Sequence, residues 1–267
     1  MSYTALAIDL DGTLLVGEDL SARNRDAVAA AHAAGLAIII ATARWRHMAQ
    51  RIADQIGLVQ PIIACSGAQV YLPDSQRDIF DHRLPAAFVA ELYALCNEQR
   101  CVATVTVADE VLLKLDGEPN QGLLSPEMRW VPQLSTTAHA APRIAAIQGS
   151  AINEIIKGDL KLRYADQVNV YDSIGPNGKI IITITAKAAN KGEALLASCQ
   201  HLGIQPAQVI TFGDAENDIE MFKVSGASVA MGQASDAVKA AATVVTAANT
   251  EDGVAQAIDR ILRTGAP

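Results

Sequence analysis

The sequence predicts an α/β protein, with a doubly wound, Rossmann-like parallel-sheet core into which a separate α+β module is inserted. Two observations carry the core. Short apolar runs alternate with segments of helical period, as the buried strands of a parallel sheet do. Two of those runs, Tyr3 to Ile8 and Val209 to Phe212, stop abruptly at acids: Asp9 and Asp11 after the first, Asp214 after the second. A third observation carries the insertion. Between residues 84 and 186 the rhythm changes to paired β-rich runs, leaving residues 1–83 and 187–267 as the two parts of the core.

Taken in order, the first run is a strand, and Ser21 caps a helix that reaches about Ala34 and ends at Gly35. Leu36 to Ala41 is an isoleucine-rich strand. Met48, Ile52 and Ile56 mark a second helix, closed by Gly57, and Pro61 to Cys65 is a third strand ending at Ser66-Gly67. Such a β-α-β series winds right-handed. In the insertion, a helix from about Ala86 to Gln99 precedes the hairpin-like runs Val102 to Val107 and Val111 to Leu115. A proline-containing stretch follows. Next come the run Ile144 to Ile147, a short helix near Ile152 to Lys157, the run Leu162 to Val170, the turn Gly175-Pro176-Asn177-Gly178 and the run Lys179 to Thr185. The core resumes with a helix from Lys191 to about His201, ended by Gly203. The strand Val209 to Phe212, short strands at Ser228 to Ala230 and Thr243 to Thr246, and a last helix from about Glu251 to Leu262 complete it.

With 267 residues, half of them apolar, the chain is long enough for one large domain or two modest ones and can bury a sizeable core. No apolar run approaches the ~18 residues that span a bilayer, and the N-terminus lacks a basic segment followed by an apolar one, so a cytoplasmic location is the default expectation. The four cysteines show neither Cys-x-x-Cys pairing nor a histidine cluster at metal spacing, which leaves buried thiols. An excess of 29 acids over 21 bases argues against nucleic acid or an anionic membrane as partner. The sequence does not encode the oligomeric state in any readable form.

The chemistry concentrates at strand ends, where open α/β sheets bind ligands. Asp9 and Asp11, two apart in extended chain, share a face and repel each other unless a cation or proton intervenes. Asp214 and Asp218, spaced i, i+4, share one face if a helix begins there, so four carboxylates would converge. Oxygen ligands without histidine or thiolate select a hard ion, Mg²⁺ before Zn²⁺. The competing reading for Asp218 is a helix N-terminal cap.

The octapeptide Ala-Ile-Asp-Leu-Asp-Gly-Thr-Leu at 7–14 resembles the first motif of the haloacid dehalogenase (HAD) superfamily. The superfamily's remaining motifs are similar to Thr42 at the end of the second strand, Lys191 opening a helix, and Gly213-Asp214-Ala215-Glu216-Asn217-Asp218. The resemblance covers essentially the whole chain and is closest to the Cof-like branch, which carries a large α/β cap. Ala-Thr-Ala-Arg at 41–44, Asn-Lys-Gly-Glu-Ala-Leu at 190–195 and Val-Ala-Met-Gly at 229–232 add to it.

That resemblance implies a Mg²⁺-dependent phosphomonoester hydrolase acting on a small phosphorylated metabolite, such as a sugar phosphate or sugar-acid phosphate. Asp9 would attack phosphorus and carry an aspartyl-phosphate, and Asp11 would serve as acid and then base. Thr42 and backbone N–H groups near Asp11 and Gly12 would hold phosphoryl oxygens, with Lys191, Asn217 and Arg44 as further phosphate contacts. Asp9, Asp214 and the Asp11 carbonyl would bind the metal, with Asp218 orienting that shell. Ala43, Ser66 and Gln233 depart from the branch, which has Gly, Asn and Asn there. Two other readings stay open: a phosphotransferase or mutase of the same family, and a non-catalytic phospho-metabolite-binding or phospho-accepting regulator.

Overall fold

The computed structural model describes residues 3–120, 124–174 and 178–267. Within them the chain divides into two compact units, residues 1–80 with 190–267, and residues 81–189. The inserted unit thus begins three residues before residue 84 and ends three after residue 186. Local bonds account for both ends. Asp81 receives Arg143 Nε at 2.7 Å, and the Ala189 carbonyl accepts Thr185 Oγ1 at 2.8 Å.

The core unit opens with β1 (Ala5–Ile8), every residue of which is buried. Helix α1 (Ala22–Ala33) follows, its first turn capped by Ser21 Oγ, which accepts the Asn24 N–H at 3.0 Å. Then come β2 (Ala37–Ala41), α2 (Arg46–Ile56) and β3 (Ile62–Ala64). Gly57 ends α2 in the left-handed conformation. Two further strands, β4 (Gln69–Leu72) and β5 (Arg77–Asp81), lack the apolar runs that mark the others. Pairing of β4 with β3 is antiparallel, so this edge departs from a purely parallel sheet.

In the inserted unit, α3 (Ala86–Glu98) precedes the antiparallel hairpin β6 (Val102–Val107) and β7 (Glu110–Lys114). Strand β8 (Met128–Trp130) lies in the proline-containing stretch, parallel to β7. After β9 (Ile144–Gln148), α4 (Ser150–Ile155) passes through a π-turn at Ile156–Leu160 into α5 (Lys161–Arg163). The expected strand from Leu162 is therefore corrected: Leu162 and Arg163 are helical, and β10 (Val168–Ile174) starts later. Arg163 bridges Asp159, one turn earlier, and Glu91 of α3, which favours helix over strand at that point. Strand β11 (Ile180–Ala186) closes a six-stranded sheet in the order β10-β11-β9-β6-β7-β8. The turn expected at Gly175-Pro176-Asn177-Gly178 lies, in its first three residues, outside the described residues. Phe88, Leu92 and Tyr93 of α3 and Ile152, Ile156 and Leu160 pack with Val105, Leu112, Ile147 and Ile184 of the sheet.

The chain returns to the core as α6 (Lys191–Leu202) and β12 (Val209–Gly213), followed by α7 (Ile219–Val224), β13 (Ala227–Ala230), α8 (Asp236–Ala241), β14 (Val244–Val245) and α9 (Gly253–Thr264). Its eight strands run β14-β13-β12-β1-β2-β3-β4-β5. Strand β1 pairs in parallel with β12 on one side and β2 on the other. The strand order reverses at β1/β12, and the crevice outside the carboxyl ends there is the switch point of a doubly wound sheet. Asp9 directly follows β1, and Asp214 directly follows β12. Among the described residues, no helix is long and apolar enough to cross a membrane.

Candidate active site

Adjacent parallel strands deliver Asp9 and Asp214 to one place, since Ile8 and Phe212 are register partners. The chain then turns at once. Leu14 N–H bonds to Asp9 O and Leu15 N–H to Leu10 O, which folds residues 9–15 into a compact loop. Gly12 supplies a φ of +80°, and a Cβ there would collide with the Asp214 carboxylate. Thr13 Oγ1 donates to Asp214 Oδ1 at 3.1 Å, tying the loop after β1 to the acid after β12.

Lys191 is the centre of the charge arrangement. Fully buried at the first position of α6, its Nζ donates to Asp9 Oδ1 and to Asp218 Oδ1, each at 2.6 Å. A cation at a helix N-terminus is disfavoured by the helix dipole, so these two carboxylates hold it there. Burial alone would lower the ammonium's pKa, but Asp218 and Asp9 raise it above the ordinary lysine value. Asp9 is held well above the ordinary carboxylate range by burial; Lys191 opposes this, and Asp218 and Asp214 reinforce it. Burial, and then Asp218, push Asp214 up to about 6.

Asp9, Asp214 and Asp218 each bring a carboxylate oxygen within 4.8 Å of the others. Their convergence does not use a shared helical face. Residues 216–218 form a 3-10 turn, and Asp218 Oδ2 accepts the N–H groups of Asp214 and Ala215, both at 3.0 Å. The capping reading and the cluster reading therefore describe the same residue: one oxygen of Asp218 fixes the loop and the other holds Lys191. With three acids facing one lysine, the cluster keeps an excess of negative charge, and the donors are oxygen only. This set fits a hard divalent cation.

The expected fourth carboxylate is elsewhere. Asp11 is half exposed and paired with Arg44, whose Nη2 lies 2.6 Å from Oδ1 and whose Nε lies 2.9 Å from Oδ2. The alternation of extended chain does not reach Asp11, because the strand ends at Ile8 and the loop turns immediately. Arg44 also donates to Glu18 Oε2 at 2.6 Å and to the Gly17 carbonyl at 3.2 Å. Burial opposes its charge, but the bonds to Asp11 and then Glu18 raise its pKa above the ordinary guanidinium value.

Thr42 is fully buried after β2, and its Oγ1 accepts the Arg44 N–H at 3.1 Å. Asn217 has a buried amide oxygen with no hydrogen-bond partner. Residues to which the sequence alone assigns no role also shape the site: Thr13 and Glu18, and Gln233, whose Nε2 donates to Gly12 O at 2.5 Å while Oε1 accepts the Asn249 N–H. Thr13 lies inside the octapeptide and is legible by position. Glu18 and Asn249 carry no such signal.

Comparison with known proteins agrees with this architecture. Residues 6–258 match the family model described as haloacid dehalogenase-like hydrolase. The chain is 28% identical to the 5-amino-6-(5-phospho-D-ribitylamino)uracil phosphatase YwtE of Bacillus subtilis, covering 96% of this chain and 97% of that protein. It is also 28% identical to the pyridoxal phosphate phosphatase YbhA of Escherichia coli, over 97% and 98% of the two chains. A haloacid dehalogenase-like hydrolase from Bacteroides thetaiotaomicron has the same fold, with a TM-score of 0.83 and 24% identity over 97% of this chain and 99% of that one.

Proposed function

The chain belongs to the family of haloacid dehalogenase-like hydrolases and is a phosphatase; on that premise we propose that it hydrolyses small phosphomonoesters through an aspartyl-phosphate on Asp9. The observation that carries this reading is the buried Lys191 Nζ, 2.6 Å from both Asp9 and Asp218, with Asp214 beside them. A buried carboxylate with a fixed cation against it is oriented as a nucleophile rather than as a solvated acid.

Asp9 Oδ2 is the attacking atom, because Oδ1 is taken by Lys191. The Asp9 O–P bond forms as the ester O–P bond breaks, and the leaving alkoxide takes its proton from Asp11. The same Asp11 then removes a proton from the water that hydrolyses the acyl phosphate. For either step Asp11 has to exchange its bonds to Arg44 for the substrate oxygen. Thr42 and the backbone N–H groups of the Asp11–Gly12 loop hold phosphoryl oxygens, Lys191 offsets charge on the nucleophile, and Asn217 would add a further phosphate contact. Asp9, Asp214 and the Asp11 carbonyl would hold Mg²⁺, with Asp218 keeping Asp214 in place through the backbone. When bound, Mg²⁺ supplies charge neutralisation for the phosphate and its approach to a carboxylate.

The relatives' names describe a phosphorylated ribityl compound and pyridoxal phosphate, which makes a small metabolite phosphate the substrate class. Sugar phosphates and sugar-acid phosphates come first in the panel. The test is phosphate release from that panel with Mg²⁺ and with EDTA, comparing the natural chain with Asp9→Asn. Turnover that both EDTA and the substitution remove supports the scheme. Turnover retained by folded Asp9→Asn overturns it.

A further inference from the structure

Gln233, in the loop after β13, joins two other loops of the core unit through one amide. Its Nε2 donates to the Gly12 carbonyl at 2.5 Å, and its Oε1 accepts the Asn249 N–H at 3.0 Å. A backbone carbonyl only accepts and a backbone N–H only donates, so the amide has a single permitted orientation, and neither a carboxylate nor a hydrocarbon of the same length makes both bonds. The base of the side chain is fixed as well. Gly232, one position earlier, donates its N–H to the Ala247 carbonyl, and a Cβ there would lie 2.8 Å from the Ala248 nitrogen. Asn249 is anchored separately, its Nδ2 donating to the Leu15 carbonyl at 2.9 Å. The loop that follows Asp9 is therefore held at Gly12 and at Leu15 by side chains 221 and 234 positions away.

The carbonyl that Gln233 holds belongs to the residue of this loop with the least stiffness of its own. Gly12 sits at φ +80°, and a glycine takes positive and negative φ almost equally well. Its carbonyl is part of the Gly12–Thr13 peptide, whose N–H bonds to Leu10 O at 3.2 Å and whose Thr13 hydroxyl reaches Asp214. On the other side of the Gly12 Cα lies the Asp11–Gly12 peptide. That single plane carries both the Asp11 carbonyl assigned to Mg²⁺ and the Gly12 N–H assigned to a phosphoryl oxygen. Only the two torsions of Gly12 separate it from the carbonyl on which Gln233 is fastened.

We propose that Gln233 is a positioning residue of the reaction: by holding the Gly12 carbonyl, and being held in turn by Asn249, it sets the angle of the Asp11–Gly12 peptide. The inference rests on the Mg²⁺-dependent phosphatase reading. Gln233 acts through Gly12 and contributes no reacting atom. Without it the Gly12 torsions relax, and the Asp11 carbonyl and the Gly12 N–H turn away from their partners together, because they share one plane. Metal affinity and turnover then fall together. Groups that orient a metal ligand from outside cost about 10- to 100-fold in affinity or activity when removed.

The test compares the full chain with Gln233→Met, which keeps the length and loses both bonds, and with Gln233→Glu, which keeps an acceptor for Asn249 and turns a second acceptor on the Gly12 carbonyl. At pH 7.5, calorimetric titration without substrate gives the Kd for Mg²⁺, steady-state kinetics give kcat and KM, and thermal unfolding reports the fold. Both variants should fold, with Kd raised about tenfold and kcat lowered by about tenfold or more. The Gln233→Glu arm is the decisive one. By charge alone an added carboxylate near a cation site tightens binding, so weaker Mg²⁺ binding there comes from the displaced carbonyl. Unchanged Kd and kcat, whatever the change in Tm, would make Gln233 a structural bridge and overturn the proposal, as would tighter Mg²⁺ binding by Gln233→Glu with kcat intact. A natural chain that neither binds Mg²⁺ nor releases phosphate overturns the phosphatase reading and this inference with it; an active natural chain whose variants match it overturns this inference alone.

Discussion

Arg44 grips both carboxylate oxygens of Asp11, through Nη2 at 2.6 Å and Nε at 2.9 Å, while the rest of its guanidinium is held by Glu18. Arg44 is 8% exposed, whereas the Asp11 side chain is 51% exposed. The arginine is therefore the fixed partner and the aspartate the movable one. A planar fork fits two oxygens at once, and an ammonium does not. Arg44→Lys keeps the charge but loses that register, and a misplacement of about 1 Å costs on the order of a hundredfold in rate. The expected result is a kcat/KM lower by about 10- to 100-fold with the fold intact. Steady-state kinetics check it, and an unchanged kcat/KM would reduce the pair to a solvated ion pair.

Lys191→Met removes the ammonium that faces Asp9 and Asp218, both of which are buried. Removing one partner of a buried pair costs about 3–5 kcal/mol, because the charge left behind is uncompensated. Urea unfolding should show a loss of that order, and turnover should fall at least a hundredfold, as on removal of an oriented donor. The two readouts separate the roles. Adding Asp218→Asn should recover part of the stability, since one of the stranded charges is gone, and leave turnover low.

The parts legible in the sequence were those with a local cause. An apolar run halted by an acid marks β1 with Asp9 and β12 with Asp214, because a buried parallel strand needs such a run and the residue just past its end emerges into the crevice. Ser21, Gly57 and Gly203 announce helix ends through their own conformations. Strands β4 and β5 carry no such signal: β4 is short and opens on a buried glutamine, Gln69, and in β5, the edge strand, Arg77, Asp78 and Asp81 break any apolar pattern, so that pairing and not burial makes β5 a strand. The partner of Asp11 was unreadable for a similar reason. Its contacts with Arg44 join residues 33 positions apart, and Glu18 carries no periodic signal. Asp218 was placed in the cluster by spacing, yet it arrives there through a 3-10 turn and backbone bonds that i, i+4 counting does not foresee.

Binding of Mg²⁺ should stabilise the protein more at pH 7.5 than at pH 5. Asp9 and Asp214 have folded-state pKa values raised above their unfolded ones, Asp214 to about 6. Such groups bind protons more tightly when folded, so without metal their contribution favours the fold at low pH and is lost as pH rises through the folded pKa. A divalent ion competes for the same oxygens and is excluded when they are protonated. At one hundred times its Kd, a ligand adds about 2.7 kcal/mol. Thermal unfolding with Mg²⁺ and with EDTA at the two pH values measures this. An equal Mg²⁺ effect at both would mean that the ion binds away from these acids.

Ser66→Gly should stabilise the chain and impair the enzyme. Ser66 follows β3 with φ +55°, beside Cys65 at +53°, in the left-handed region that L-residues other than Asn and Asp avoid. The residue is 2% exposed, and its Oγ has no hydrogen-bond partner. Each feature costs free energy, about 1–2 kcal/mol for the backbone and about 1–3 for a buried unsatisfied hydroxyl. Glycine removes both, at the expense of a more flexible unfolded chain, so the net gain is about 1 kcal/mol, or roughly 2–4 °C in Tm. The backbone of Ser66 is bonded to the carbonyl of Thr42, a residue assigned to the phosphate, which sets this strain against the reaction site. If the hydroxyl is kept for a substrate oxygen, kcat/KM falls as Tm rises. A gain in Tm without loss of activity would make Ser66 a relic of packing, and a drop in Tm would mean that an ordered water already satisfies its hydroxyl.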